Sequence, residues 1–282
     1  MIPVTGTAQI YEAMQDVKNR GPGFVTNFFS TEAKLARWVD KRELSIAPSD
    51  RSVILLRRDR DFEHLYFFAS DLAAVRAALQ GQAGWTTPLV ADLIGREAEI
   101  LESAALFVDL GYRHHTRLMR LSRIGGGSRV APPSPDAELA LASDAAEVLA
   151  MLEASFDRHA EQLPDEGEIA AAIAQGCILV VRDGARLAGL LFFERTGLTA
   201  YVRYWLVARA FRDKGVGARL MHGFFARCPD ARRFILWVIA DNENAIKRYA
   251  HYGFKPDGLV DQVMIRYSSP IQRAGFMGEK NG

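Results

Sequence analysis

Six residues in the second half of the chain, Arg212-Asp-Lys-Gly215-Val-Gly217, have the makings of an anion cradle. They follow a run of strand formers (Tyr201, Val202, Tyr204, Trp205, Val207) and precede an amphipathic segment with Leu220, Met221, Phe224 and Phe225 on one side, so a strand hands over to a helix here. The glycines let the main chain approach phosphate oxygens and adopt positive φ. The first turn of the helix offers unpaired N–H groups and roughly half a positive charge. Arg212 and Lys214 add full charges, so the chemistry is that of holding a diphosphate. The structural alternative is a tight strand-to-helix turn with no ligand.

A second constellation lies some thirty residues on: Asn242-Glu-Asn-Ala245-Ile-Lys-Arg-Tyr249-Ala-His-Tyr-Gly253-Phe254, a short helix stopped by Gly253 and followed by a strand. Tyr249 is either a core aromatic or a phenol placed to give a proton. The two motifs in this order, with a strand at Phe234 to Val238 between them, closely resemble the GNAT superfamily of acyl-CoA N-acyltransferases over about Glu138 to Tyr267. The resemblance implies an N-acetyltransferase using acetyl-CoA or another short acyl-CoA as cosubstrate, without a metal, and a small-molecule or peptide amine as acceptor. It implies that Leu206 and Val207 pair their backbone with the pantetheine arm, and that Arg212, Asp213, Lys214, Gly215, Val216, Gly217 and Ala218 bind the diphosphate. Asn242 would contact the cofactor arm, and Tyr249 would protonate the departing thiolate. A backbone N–H at Val207 would polarise the thioester carbonyl.

An amine of pKa about 10.4 is almost wholly protonated at neutral pH, so acyl transfer to it calls for a base. Some relatives carry a Glu on the strand before the cradle; here Tyr201 stands there, with Arg203 two residues on. Glu194, Glu161 and His159 are the candidate replacements. Arg203 reads first as a solvated edge residue and second as a contact for an anionic substrate group. With that carboxylate missing, a regulatory module that binds acyl-CoA without chemistry is the alternative function. A dinucleotide site is weaker, because Arg212 to Gly217 lacks the third glycine of the dinucleotide fingerprint.

The elements that must carry these motifs fall into two halves. Ser122 to Asp136, rich in Gly and Pro, reads as a linker between a domain at 1–121 and one at 137–267, with a flexible tail at 268–282. Strands and helices alternate in both halves, which predicts a mixed α/β (α+β) fold; the resemblance implies tandem GNAT-like domains, each a largely antiparallel sheet flanked by helices. Phe107-Val-Asp-Leu-Gly111-Tyr112 lies over Tyr249-Ala-His-Tyr-Gly253-Phe254, which points to an internal duplication. In that register Ala73 and Val75 replace Gly215 and Gly217, and Phe107 replaces Tyr249, so the first half is expected to be a degenerate, non-catalytic copy.

Composition sets the outer bounds. The 282 residues, 49% hydrophobic and 24% charged, fit two globular domains, and a net charge of +1 leaves nothing for a nucleic-acid backbone or an anionic membrane. No stretch approaches the roughly 18 apolar residues of a membrane span, and the first ten residues lack the pattern of a secretion signal, so a cytoplasmic protein is expected. A homodimer is compatible with the sequence. Cys177 and Cys228 read as reduced core thiols. The Arg57-Arg-Asp-Arg-Asp61 run reads as a solvated hairpin tip, and the aromatics Phe24, Phe28, Phe29, Trp38, Tyr66, Phe67 and Phe68 as core.

Overall fold

A computed structural model describes residues 1–81, 85–125 and 137–267, which form two compact units. In chain order the first repeat gives β1 (Ile2–Pro3), α1 (Thr7–Asn19), β2 (Val25–Thr26), α2 (Glu32–Asp40), β3 (Leu44–Pro48), β4 (Ser52–Asp59), β5 (Phe62–Ala69), α3 (Leu72–Gln80), β6 (Leu89–Arg96), α4 (Glu97–Asp109) and β7 (Arg113–Ile124). The second gives β8 (Glu138–Leu139), α5 (Ala145–Glu153), α6 (Glu166–Ala174), β9 (Ile178–Asp183), β10 (Arg186–Thr196), β11 (Thr199–Val207), α7 (Val216–Arg227), β12 (Arg233–Ile239), α8 (Glu243–His251) and β13 (Lys255–Arg266).

Each unit is a mixed α/β layer structure. Unit 1 orders its strands β1-β3-β4-β5-β6-β13, and unit 2 orders its own β8-β9-β10-β11-β12-β7. Both are antiparallel except at one central parallel pair, β5 with β6 and β11 with β12. Helices cover both faces. In unit 1, α1 and α2 bury Ile10, Val17, Leu35 and Trp38 on one side, while α3 and α4 bury Val75, Leu79, Leu106 and Phe107 on the other. In unit 2, α5 and α6 supply Val148, Leu152 and Ile169 to one core, and α7 and α8 supply Leu220, Phe224 and Tyr249 to the other. The duplication extends to turn detail. Tyr112 N–H donates to Phe107 O at 2.9 Å, and Phe254 N–H donates to Tyr249 O at 3.2 Å, after glycines with φ of 85° and 83°.

The units do not divide where the composition changes. Among the described residues unit 1 comprises 1–117 and 259–267 and unit 2 comprises 118–258, so the contiguous division at 121 and 137 is corrected. Strand β7 does not end with the first domain: its residues Leu118 to Ile124 pair with β12. Residues Leu259 to Arg266 of β13 pair with β6. Each repeat thus hands its closing strand to the other unit's sheet. Ser122 to Ile124, read as linker, are strand; the remainder of that linker from 126 and the tail 268–282 lie outside the described residues.

Smaller corrections concern burial. Arg58, Arg60 and Asp61 are exposed at the β4–β5 hairpin as expected, but Arg57 is buried, bound to Asp59 at 2.6 Å with its guanidinium 4.7 Å from the Trp38 ring. Phe29 is exposed rather than core. Cys228 is buried and Cys177 only partly so, both as free thiols. Among the described residues no helix is long and apolar enough to cross a membrane.

Candidate active site

The site begins at a break in the sheet of unit 2. The parallel ladder of β11 and β12 runs from Thr199 with Arg233 to Val202 with Leu236 and goes no further. At that level β11 carries a bulge: Phe192 pairs with Tyr204 and Phe193 with Val202, leaving Arg203 as the extra residue. A bulge bends its strand and sharpens its twist, which parts β11 from β12. Beyond it, β11 stays on β10 while β12 stays on β7.

Alternation along β11 decides which amides face the gap. Ala208 N–H donates to Ala188 O at 3.0 Å, so Val207 and Gly189 form a pair whose own amide groups point away from each other. Leu206 therefore gives its backbone groups to β10, and those of Trp205 and Val207 face the gap. The expected pairing edge shifts accordingly: Val207 remains on it, Trp205 joins it, and Leu206 is removed from it. Leu206 also packs its side chain in the α5–α6 core.

The gap leads to the cradle. After Val207 the chain turns through Arg209–Phe211 into a loop where Asp213 has φ 62° and Gly215 has φ 75°. An Asp tolerates the left-handed region better than most side chains, at a cost of order 1 kcal/mol or more. Gly215 is the N-cap of α7, and no side chain caps the helix there. The N–H groups of the first turn are left for a ligand. A side-chain carbon built at Gly215 would meet nothing within 4 Å, whereas one at Gly217 would stand 3.0 Å from Trp205 Cζ2. The two glycines thus do different work: Gly215 shapes the loop, and Gly217 lets the helix lie against the indole.

A recess of about 220 Å³ opens here. The loop and helix line it with Phe211, Arg212, Asp213, Gly215, Val216, Gly217 and Ala218, the strand with Trp205 and Val207, and α8 with Arg248, His251 and Tyr252. Sequence reasoning missed the three from α8; Arg248 and His251 are exposed, and the spacing of basic residues on that helix was the available signal. Lys214 lies outside the lining, its Nζ 5.2 Å from the Phe211 ring. Asn242 lies outside it too: its side chain caps α8 by accepting the Ala245 N–H at 3.1 Å.

Tyr249 is buried behind the recess wall, its ring 5.2 Å from Trp205 and 5.9 Å from Phe254. Burial raises its pKa, and the neighbouring Glu161 and Tyr201 raise it further, so the phenol keeps its proton. Of the three candidate bases, Glu194 is bound to Arg203 at 2.6 Å. His159 is buried, its Nδ1 3.7 Å from Asp157 Oδ1. Glu161 sits in the loop between α5 and α6, where burial pushes its carboxyl up to about 7. Arg203 is not a solvated edge residue: beyond Glu194, it donates to Gln162 O at 3.3 Å and to Tyr204 Oη at 3.3 Å.

Residues 144–254, which hold the cradle, the split strands and Tyr249, match the model of the acetyltransferase (GNAT) family. Unit 2 therefore contains a GNAT acetyltransferase domain. The chain's fold is similar to that of a tandem GNAT protein from the clavulanic acid biosynthesis pathway, at 12% identity and a TM-score of 0.57, over 95% of this chain and 98% of that one. A GCN5-related N-acetyltransferase from Sphaerobacter thermophilus aligns at 13% identity and TM-score 0.56, covering 86% of this chain and 95% of its own. One from Kribbella flavida aligns at 15% and 0.53, covering 86% and 98%. No curated protein matches the chain. At these identities the likeness is one of fold, and the tandem neighbour places the first repeat within it as well as the GNAT domain.

Proposed function

We propose that the protein transfers an acetyl or other short acyl group from acyl-CoA to an amine, with the GNAT domain as its working half. The observation that carries this reading is the uncapped N-terminus of α7, which opens at Gly215 onto a recess continuous with the free edge of β11. The diphosphate of the coenzyme fits that cradle: the loop supplies N–H groups and Arg212, and there is space where a side chain would stand. Trp205 and Val207 offer the strand edge to the pantetheine amides, as an added strand would use it. The bound thioester supplies the acyl group. Tyr249, held protonated, donates to the departing sulfur, and its buried phenol needs no lowered pKa to act as an acid toward a thiolate.

The first repeat is proposed as non-catalytic. Its counterpart of Tyr249 is Phe107, fully buried and without a hydroxyl, and the corresponding helix α3 is capped by its own Asp71.

Calorimetry with CoA, followed by thiol release from acetyl-CoA over a panel of amines, tests the proposal. Expected are CoA binding, release that depends on the amine, and a loss on the order of 100-fold in rate for Tyr249→Phe at unchanged CoA affinity. CoA binding with no release across the panel would leave a regulatory acyl-CoA module in place of the transferase. An absence of CoA binding would remove both.

A further inference from the structure

We infer that Glu161 is the base that takes the proton of the amine acceptor, in a loop that Arg203 and Tyr204 fasten to the sheet. This rests on the transferase reading and adds to it the residue that the strand before the cradle does not supply.

The geometry starts from the bulge. Where β11 leaves β12, Tyr204 Oη donates to Glu161 O at 2.8 Å and lies 3.0 Å from Gln162 O. Arg203, the bulged residue, reaches the same carbonyl of Gln162 and is itself anchored by Glu194. Two consecutive carbonyls of the α5–α6 loop are thus tied to the point where the sheet opens. The Glu161 carboxylate is steadied by the Asp157 N–H, which donates to its Oε2 at 3.0 Å. No Lys or Arg among the described residues pairs with it, in contrast to Glu194. It lies near enough to Tyr249 for its charge to disfavour the phenolate. The carboxylate that can accept a proton thus belongs to a loop tied to the point where β11 leaves β12, and the phenol that can give one, on α8, feels its charge.

The groups around Glu161 set its titration. Asp157 and His159 share its loop, Arg203 and Tyr204 of β11 bind the carbonyls of that loop with Glu194 paired to Arg203, Tyr249 of α8 feels its charge, and Glu168 of α6 acts on Tyr204. Burial raises the carboxyl, the Asp157 N–H draws it down, and the Asp157 carboxylate raises it again, ending at about 7. A base poised there matches neutral operation.

In the reaction, ionised Glu161 takes one proton from the ammonium. The nitrogen lone pair then forms the N–C bond as the C–S bond breaks, and the electron pair of that bond leaves on sulfur. Tyr249 gives its proton to the sulfur and regains one, through solvent, from the acylated nitrogen. Glu161 returns its own proton to solvent, so the products are amide, thiol and one released proton.

The test uses the full chain, acetyl-CoA, and spermidine, phenethylamine and lysine amide as acceptors, with thiol release followed from pH 5.5 to 8.5. For the parent, the rate is expected to rise through a midpoint near 7, because the base must be ionised. Glu161→Gln should lose about 100-fold or more and lose that limb, Glu161→Asp should recover part of the rate, and CoA affinity should be unchanged in both. Carbon-13 NMR of glutamate-labelled protein gives a readout independent of turnover: one carboxyl, absent from Glu161→Gln, should titrate near 7. A Glu161→Gln protein with the parent's rate and pH profile, or a Glu161 carboxyl titrating at about 4.3 as an ordinary Glu does, overturns the assignment alone. Should Glu161→Gln fail to bind CoA, Glu161→Asp and the carboxyl titration decide. A parent that releases no thiol with any of the amines overturns the transferase reading, and Glu161 as base with it.

Discussion

Helices α3 and α7 occupy corresponding places in the two repeats, each entered from a central strand, yet their first turns are satisfied in opposite ways. At the N-cap of α3, Asp71 accepts the Ala74 N–H at 2.8 Å and is held by Arg51, and that backbone N–H is the main reason its pKa is lowered. At the N-cap of α7 stands Gly215, with no side chain to offer, so its counterpart is Asp71 and that of Gly217 is Ala73, two residues off the register that the Gly-aromatic match implied. One helix carries a built-in anion, and the other has none from its own cap residue, the position where the coenzyme's diphosphate is proposed to sit. A duplicated fold can therefore lose a ligand site by supplying the ligand's charge from its own chain, with the helix dipole satisfied either way.

Exchanging the caps breaks the comparison most sharply. Gly215→Asp would put a carboxylate where the diphosphate is proposed to sit; Asp tolerates the positive φ, and space is open around the new side chain. CoA affinity measured by calorimetry should fall on the order of 100-fold from charge repulsion at the helix terminus, with the melting temperature lowered by no more than a few degrees, the cost of a left-handed Asp. Affinity equal to the parent's would remove the cradle from the site. A smaller effect is expected from restoring the missing hydroxyl in the first repeat. Phe107→Tyr buries an oxygen in a fully packed apolar core, which should destabilise unit 1 by about 1–3 kcal/mol in denaturant unfolding and create no activity. The smallest is Asp71→Ala, which removes a cap at about 1 kcal/mol and should lower the melting temperature by a few degrees without touching CoA binding.

The strand, glycine loop and helix around Arg212 to Gly217 were legible because their signals are local: β-branched and aromatic residues, then two glycines, then a helical apolar stripe. The alternation of elements and the Gly-aromatic match at Phe107 and Tyr249 carried the tandem architecture for the same reason. What was not legible depends on distant pairing. Pro256, Asp257 and Gly258 look like a turn by residue type, yet they lie inside β13, whose Asp257 is bound by Arg120 and Arg233 at 2.9 Å each. Arg203 looked solvated because nothing local announces a bulge, and the raised pKa of Glu161 comes from a fold-dependent burial that spacing cannot encode. Asp71 was readable: an Asp just before an apolar helical run is an N-cap signal.

The exchange of closing strands makes the two copies inseparable. Cutting the chain in the Gly- and Pro-rich segment would strip β12 of β7 and β6 of β13, baring in each fragment a row of unpaired amides of the kind that templates aggregation. The first repeat thus supplies one strand, β7, to the sheet in which β11 and β12 part, and deleting that repeat would remove it.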